Sequence, residues 1–158
     1  MAAKPSADTE VAEFAGQLFF WLWRASHTRT AAALESIDLT PPLFGILNFL
    51  GARKGAIQLE IASAMDIDPS ALVSLIDELE RAGLAKRRPH PDDRRAREVA
   101  ITPKGRRVLE RGRRMALEVE DEVLQGLTAT ERRDLMSLLR RALDSGPPQP
   151  SWRAEEDD

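Results

Sequence analysis

The chain has 158 residues and contains no cysteine. Disulfides, thiolate metal ligands and peroxide sensing through a cysteine are therefore excluded, and the composition is compatible with a reducing compartment. Histidine is also scarce, with two residues, His27 and His90. The sequence has no HExxH, P-loop or GxSxG motif, which are signatures of metal, nucleotide and acyl-transfer chemistry. We therefore expect no metal, no cofactor and no enzymatic activity.

Long hydrophobic runs are missing as well. The longest run, Leu18–Trp23, has six residues and ends at Arg24, whereas a membrane-spanning helix needs about 20 apolar residues. The N-terminal stretch carries acidic residues and has no apolar core followed by a cleavage site, so it does not match a secretion signal. We expect a cytoplasmic protein with no membrane segment.

Positive charge is scarce over most of the chain but concentrated in one segment. The whole chain has a formal net charge of −3. Residues 81–114 contain thirteen basic and four acidic residues, a net charge of +9, which leaves −12 for the rest. Because the field at a surface depends on local clustering, this segment predicts contact with a polyanion such as nucleic acid.

The two ends of the chain and its first helix have distinct patterns. Residues 1–8 and the acidic tail at 146–158 are predicted to be disordered. Residues 9–36 follow a helical pattern in which Leu18–Trp23 is apolar nearly all round. Such a helix must be buried on several sides, and in a chain this short a second subunit is the expected cover.

Two similar start signals divide the middle of the chain. Thr40-Pro41 and Asp68-Pro69 each combine a capping residue with a proline in the first helical turn. A short helix over 57–65 is predicted between the two helices that they open, and Gly83 is predicted to end the second. A short helix joined by a tight turn to a longer one is typical of a helix-turn-helix.

A hairpin and two more helices are predicted to follow. Residues 84–88 and 97–101 flank a turn rich in proline and aspartate, a composition that favours a β-hairpin. Thr102-Pro103 repeats the start signal of the earlier helices. Thr128 and Glu131 have the spacing of a capping box, which predicts the start of the last helix.

These motifs resemble those of the MarR family of bacterial transcriptional regulators over about residues 10–145. Three segments carry the resemblance: Leu79-Glu80-Arg81-Ala82-Gly83-Leu84 at a helix end, Asp93-Arg94-Arg95 in the hairpin and Ile101-Thr102-Pro103-Lys104-Gly105 after it. Gln58 departs from the family, which commonly has Ser or Thr there to cap the helix, so we expect the third helix to start less firmly.

The resemblance implies a mainly α, homodimeric winged helix-turn-helix fold with a two-stranded β-hairpin wing. Residues 37–105 would form the DNA-binding lobe. Residues 9–36 and 106–145, the N- and C-terminal helices, would form the dimerisation region. Such a dimer would bind double-stranded DNA at a pseudo-palindromic operator, with half-sites about 10 bp apart, and would be associated with the nucleoid when bound.

The helix that begins at Pro69 carries the candidate recognition surface. Five residues lie opposite its apolar stripe: Ser70, Ala71, Val73, Ser74 and Asp77. The first four of these, together with Pro69, are the candidate DNA-binding residues. Small side chains let a helix enter the major groove deeply, where serine can bond to either base type and alanine or valine can contact a thymine methyl group. The alternative is an ordinary solvent-facing helix surface. Asp77 would repel phosphate, so we expect it beside a backbone donor or a basic neighbour.

Basic residues of the hairpin are the second candidate surface. Extended arginines such as Arg94 and Arg95 fit the narrow, negatively charged minor groove, and the resemblance implies that Asp93 shapes the tip while Arg95 enters the groove. The alternative is a solvated turn with loose ion pairs, each worth about 0–1 kcal/mol. Three residues are candidate phosphate contacts, which position a protein without specifying sequence: Arg81, Lys86 and Arg106. Six bases near the tip are expected to need an anionic partner: Lys86, Arg87, Arg88, Arg97, Lys104 and Arg106.

A ligand site is a weaker inference from the resemblance, which implies a cleft for small, often anionic aromatic compounds. Trp21, Trp23, Arg24 and His27 would offer stacking surface, a cation and a titratable ring. The alternative is that the tryptophans belong to a dimer core and His27 is an ordinary polar residue. We favour that alternative, because aromatics at helical spacing usually serve packing.

The sequence thus predicts a homodimeric, sequence-specific DNA-binding regulator, most simply a repressor relieved by a small ligand. The competing hypothesis is a winged-helix module that contacts an acidic protein and does not read DNA sequence.

Overall fold

The computed structural model describes residues 14–53, 55–89 and 97–146. Within these ranges the chain forms six helices and three strands. In chain order they are α1 (Ala15–Glu35), α2 (Pro41–Gly51), β1 (Ala56–Ile57), α3 (Gln58–Met65), α4 (Pro69–Arg81), β2 (Ala85–Pro89), β3 (Arg97–Ile101), α5 (Pro103–Val123) and α6 (Ala129–Asp144). The chain is divided into two units, one reaching Glu120 and the other beginning at Asp121. The predicted disorder of residues 1–8 lies outside the described residues, as does all of the predicted tail except Gly146.

Three of the predicted capping motifs are present. Before α5, the Thr102 hydroxyl accepts a hydrogen bond from the Gly105 N–H at 2.9 Å. Before α4, the Asp68 carboxylate accepts hydrogen bonds from the backbone N–H groups of Ser70 and Ala71, at 2.9 and 3.1 Å. Before α6, Thr128 and Glu131 form the predicted capping box, in which the Glu131 carboxylate accepts from the Thr128 N–H at 2.7 Å. These bonds satisfy N–H groups that have no partner within the helix, so they fix where each helix begins.

The other two starts differ from the expected caps. α2 begins at Pro41 as predicted, but the side chain of Thr40 makes no capping hydrogen bond, so its predicted role as a cap was wrong. At α3 the Glu60 carboxylate accepts from the Ile57 N–H at 2.9 Å. Isoleucine has no side-chain acceptor to return a bond, so α3 has half of a capping box. The cap position is Ile57, one residue before the Gln58 on which the prediction of a weaker start rests.

The sheet is antiparallel, with strand order β1-β3-β2. β2 and β3 form the predicted hairpin, with Ala85 paired to Ile101 at one end and Pro89 paired to Arg97 at the end nearest the turn. β1 pairs Ala56 with Val99 and adds a third strand that the sequence analysis did not predict. Two residues are too few to show the alternation that marks a strand.

The core of the first unit lies within the helix-turn-helix and its sheet. Eleven large side chains are almost completely buried there: Leu34, Leu39, Ile46, Leu47, Leu50, Ile61, Leu72, Ile76, Leu79, Val99 and Leu109. They come from the end of α1 and the connection after it, from α2, α3 and α4, from β3 and from α5. This packing holds α4 and the hairpin in a fixed relation, because both contribute to the same core.

The first half of α1 contributes nothing to that core. Its large apolar side chains, from Phe14 to Trp23, are 39–73% exposed within the chain. In the second unit α6 has no buried residue, and Leu138 and Leu143 are exposed. Apolar exposure on this scale is what the sequence analysis expected of helices that are covered by another subunit.

Candidate nucleic-acid interface

The five predicted recognition residues share one exposed face of α4. Pro69, Ser70, Ala71, Val73 and Ser74 are all exposed, whereas Leu72, Ile76 and Leu79 are completely buried. Because the buried residues recur every three or four positions, the helix must present its remaining side to solvent. The structure therefore brings the predicted residues together on the N-terminal half of one helix.

Asp68 organises the start of this face. Its carboxylate accepts a hydrogen bond from the Ser70 hydroxyl at 2.5 Å as well as from two backbone N–H groups. The bond from the Ser70 hydroxyl, followed by those from Ala71 and Ser70 N–H, lowers the pKa of Asp68 below its ordinary value of 3.8. The Ser70 hydroxyl is thus engaged in the cap, which leaves Ser74 as the exposed serine with no bond to Asp68.

Asp77 has the basic neighbour that the sequence analysis expected. The Arg87 guanidinium Nη1 lies 2.6 Å from Asp77 Oδ1 and also donates to Glu80 Oε2. The Arg87 backbone N–H donates to Glu80 Oε1 at 2.6 Å. Burial lowers the pKa of Arg87, but its hydrogen bonds to Asp77 and Glu80 and the charges of both acids outweigh burial and raise it overall. The arginine therefore stays charged between two carboxylates of α4.

Arg88 makes a second pair within the sheet. Its Nε donates to Glu98 Oε1 at 2.5 Å, and Glu98 is buried although it is charged. A β-carbon on Gly55 would lie 2.2 Å from Glu98 Oε2, so the carboxylate occupies space that only glycine leaves open. Successive strand residues point to opposite faces, so Arg87 and Arg88 serve different partners. Neither role was predicted from the sequence.

The expectation that six bases near the hairpin tip require an external anionic partner was wrong for two of them. Arg87 and Arg88 are paired with carboxylates of the chain itself. Lys104 Nζ donates to the Ala82 carbonyl at the end of α4, at 2.7 Å, and Arg106 Nη1 donates to the Gly51 carbonyl at 3.4 Å. Lys86 and Arg97 are exposed. Internal partners therefore account for part of the basic charge of this segment.

The three candidate phosphate contacts occupy different places. Arg81 is exposed on the last turn of α4, and Lys86 is exposed on β2. Arg106 follows the end of the hairpin at which Ala85 pairs with Ile101, which is the end away from the turn. The turn residues Asp93, Arg94 and Arg95 lie outside the described residues, between the paired strand ends Pro89 and Arg97.

A further basic surface lies on α5. Its arginines belong to the basic segment 81–114, but the sequence did not show that they share a surface. Five residues line a shallow groove along the helix: Arg106, Arg107, Glu110, Arg111 and Arg114. The spacing of Arg107, Arg111 and Arg114 places them on one side of a helix. Positive charge at the surface is therefore divided between the hairpin and α5.

The four candidate ligand residues lie on the exposed part of α1. The rings of Trp23 and His27 are 5.0 Å apart between centroids, and the Arg24 guanidinium lies 5.6 Å from the centroid of the Trp21 ring. All four side chains are exposed within the chain. The structure thus forms two pairs from these residues, Trp23 with His27 and Arg24 with Trp21.

Two features of the described residues bear on other functions. None of the helices in this part of the chain has the length and apolar character of a membrane span. Histidine and carboxylate side chains of the same residues form no cluster of three that could hold a metal ion.

Comparison with known proteins gives consistent matches. A sequence profile of the MarR family matches residues 37–96. A protein from Thauera aromatica, provisionally named as a transcriptional regulatory protein for the hcr operon, is 32% identical over 146 residues, which cover 85% of this chain and 87% of that protein.

Two similar solved structures show bound molecules. A mutant of MarR from E. coli in complex with operator DNA has a TM-score of 0.70 and 25% identity, and the match covers 81% of this chain and 92% of that one. CouR from Rhodococcus jostii RHA1, bound to p-coumaroyl-CoA, has a TM-score of 0.73 and 26% identity, with coverages of 84% and 93%.

Proposed function

The chain belongs to the MarR family of DNA-binding transcriptional regulators, and we propose that it is a homodimeric repressor that a small ligand releases from a pseudo-palindromic operator. Like its relatives, it is a regulator and not an enzyme. The exposed face of α4 is the main support for the proposal. Its small side chains lie outside the core, and the N-terminus of the helix is capped. Such a repressor would act in the cytoplasm, on the nucleoid.

We propose that α4 enters the major groove and that the hairpin lies over the adjacent minor groove. Ser74 and Val73 would contact base edges, since their side chains are exposed and short. Arg95, with Arg94 and Asp93 beside it, would reach the minor groove from the turn. Arg81 and Lys86 would contact phosphates, because both are exposed cations on the elements that flank the groove. Arg106 is a weaker candidate, since it follows the end of the hairpin away from the turn.

The dimer is proposed from the exposed apolar surface of α1. Phe14, Leu18, Phe19 and Trp23 are each about half exposed or more within the chain. A soluble protein rarely leaves so much contiguous apolar surface in water, and a second copy of the same helix would cover it. We propose that residues 9–36 and 106–145 form this dimerisation region and that residues 37–105 form the DNA-binding lobe.

Ligand release is proposed from the aromatic and cationic groups of α1, with Trp21 and Trp23 beside Arg24 and His27. CouR, a similar structure, binds p-coumaroyl-CoA. A small aromatic or anionic ligand would act by favouring a dimer conformation in which the two recognition helices no longer match the operator spacing.

The test is a titration of the full-length protein against a DNA site that it selects from a random pool, monitored by fluorescence anisotropy. If six or more phosphates are neutralised, affinity should fall by roughly 10³-fold between about 50 and 200 mM salt. Sedimentation should give a mass of twice 17.6 kDa. A flat salt response with no enriched site would favour the protein-interaction module, and a monomer would contradict the dimer.

A further inference from the structure

Arg87 connects the hairpin to the helix that carries the proposed recognition face. Its side chain is 21% exposed, and its guanidinium lies between the carboxylates of Asp77 and Glu80, whose side chains are 51% and 31% exposed. The contact crosses ten residues of sequence, from β2 to α4. Both acids are therefore held by a residue of the neighbouring element.

Two acidic residues at this position of α4 are unfavourable for DNA binding, because DNA is also negatively charged. Asp77 and Glu80 are three residues apart, so their carboxylates lie on neighbouring parts of the α4 surface and repel each other. Asp77 also lies one helical turn beyond Val73 and Ser74, at spacings of four and three residues. Without a cation beside it, this half-exposed carboxylate would add negative charge next to the proposed contact with DNA.

Arg87 itself is poorly placed to bind phosphate. Its Nη1 serves both carboxylates through charge-assisted hydrogen bonds, which are about twice as strong as neutral ones. To reach DNA, the side chain would have to release both partners and leave two carboxylates unpaired. The ion pairs with Asp77 and Glu80 are therefore electrostatically favoured over a contact between Arg87 and phosphate.

We propose that Arg87 is a positioning residue for operator binding: it neutralises Asp77 and Glu80 so that α4 can approach DNA, and it makes no contact with DNA itself. The proposal rests on the proposed function, because it assumes that this side of α4 meets the operator. It differs from the role of a phosphate contact in one consequence. Once the two acids are removed, Arg87 should no longer be needed.

The experiment measures operator affinity for the full-length protein and five variants by fluorescence anisotropy. Arg87→Met should bind about tenfold more weakly, because it frees two carboxylates beside the interface. Adding Asp77→Asn and Glu80→Gln to Arg87→Met should restore affinity to within about threefold of wild type. The glutamine retains an acceptor for the Arg87 backbone N–H, so the link between helix and strand is kept.

Lys86→Met is the matched control, since it removes the adjacent exposed cation of β2. The same two amide substitutions should raise the affinity of Lys86→Met by less than about threefold, because Lys86 does not neutralise these acids. Equal recovery in both backgrounds would show a general effect of net charge and overturn the proposal. So would an Arg87→Met variant that stays weak after the acids are removed, or one that binds as well as wild type.

If Arg87→Met does not fold, a double variant with Asp77→Asn and Glu80→Gln in the wild-type background still tests the proposal. This variant keeps Arg87 and should bind at least as tightly as wild type, whereas a tenfold loss would overturn the proposal. Wild-type protein is titrated in parallel. If it selects and binds no DNA site, the proposed function fails, and the role of Arg87 fails with it.

Discussion

The carbonyl oxygen of Leu84 lies 2.0 Å from the position that a β-carbon on Gly105 would occupy. The first turn of α5 thus approaches the backbone that follows α4 more closely than any other residue type allows. Gly105 ends the segment Ile101–Gly105, one of the three that resemble the MarR family. Its physical role is to let α5 cross the exit of the proposed recognition helix.

Substitution of Gly105 should therefore destabilise the fold. Gly105→Ala should lower the free energy of unfolding by about 1–3 kcal/mol, the usual cost of overpacking, because the obstacle is backbone and cannot rotate away. Denaturant unfolding followed by circular dichroism measures this. Gly16→Ala is the control, since a β-carbon there meets nothing within 4 Å. Equal stability of Gly105→Ala and wild type would contradict the packing described.

Thr102 fastens the same junction by hydrogen bonds. Its hydroxyl lies 2.8 Å from the Gly83 carbonyl and 3.1 Å from the Leu84 carbonyl, and it accepts from the Gly105 N–H at 2.9 Å. Thr102→Val keeps the shape and removes these bonds, so it should cost about 1–2 kcal/mol. Thr102→Ser keeps the hydroxyl and should lose much less. The comparison is made by thermal unfolding, and a loss in Thr102→Ser as large as that in Thr102→Val would contradict the dominant role given to the hydroxyl.

Asp68 predicts a dependence of stability on pH. The pKa of its carboxyl is lowered in the folded chain, first by the Ser70 hydroxyl and then by the Ala71 and Ser70 N–H groups. A lowered folded pKa means that the stabilisation is complete above the unfolded value of 3.8 and is lost as pH falls through the folded value. Asp68→Asn should lack this component. Its melting temperature should lie below that of wild type at neutral pH and approach it as the pH falls through the folded pKa of Asp68. A constant difference across the titration would contradict this role of the carboxylate.

Local signals in the sequence predicted most of the fold. Asp68-Pro69, Thr128 with Glu131, and Gly83, which adopts a φ of +70°, act through neighbours within a few residues, so the sequence alone showed where α4 and α6 begin and α4 ends. The hairpin was placed to within one residue at each strand end. β1 was missed because its pairing with β3 joins residues about 40 positions apart, which local pattern does not reveal.

The candidate site was predicted in part, for a similar reason. The amphipathic pattern of α4 showed which residues would be exposed, and the misplaced charge of Asp77 indicated a basic neighbour. The identity of that neighbour, Arg87, depends on how the hairpin packs against α4. The burial of Glu98 against Gly55 was not predicted, because it depends on the same packing. The number of arginines in the sequence therefore overestimated the positive charge that is available to bind an anionic partner.

The central claim is that the exposed face of α4 reads DNA sequence, and Ser74 tests it most directly. Random DNA pools are selected in parallel with wild type, with Ser74→Ala, and with Ser137→Ala, an exposed serine of α6. Each enriched site is then sequenced. We predict that Ser74→Ala relaxes or changes the preferred base at one position in each half-site, while Ser137→Ala selects the wild-type site. An identical site for all three proteins, selected with equal stringency, would contradict the claim.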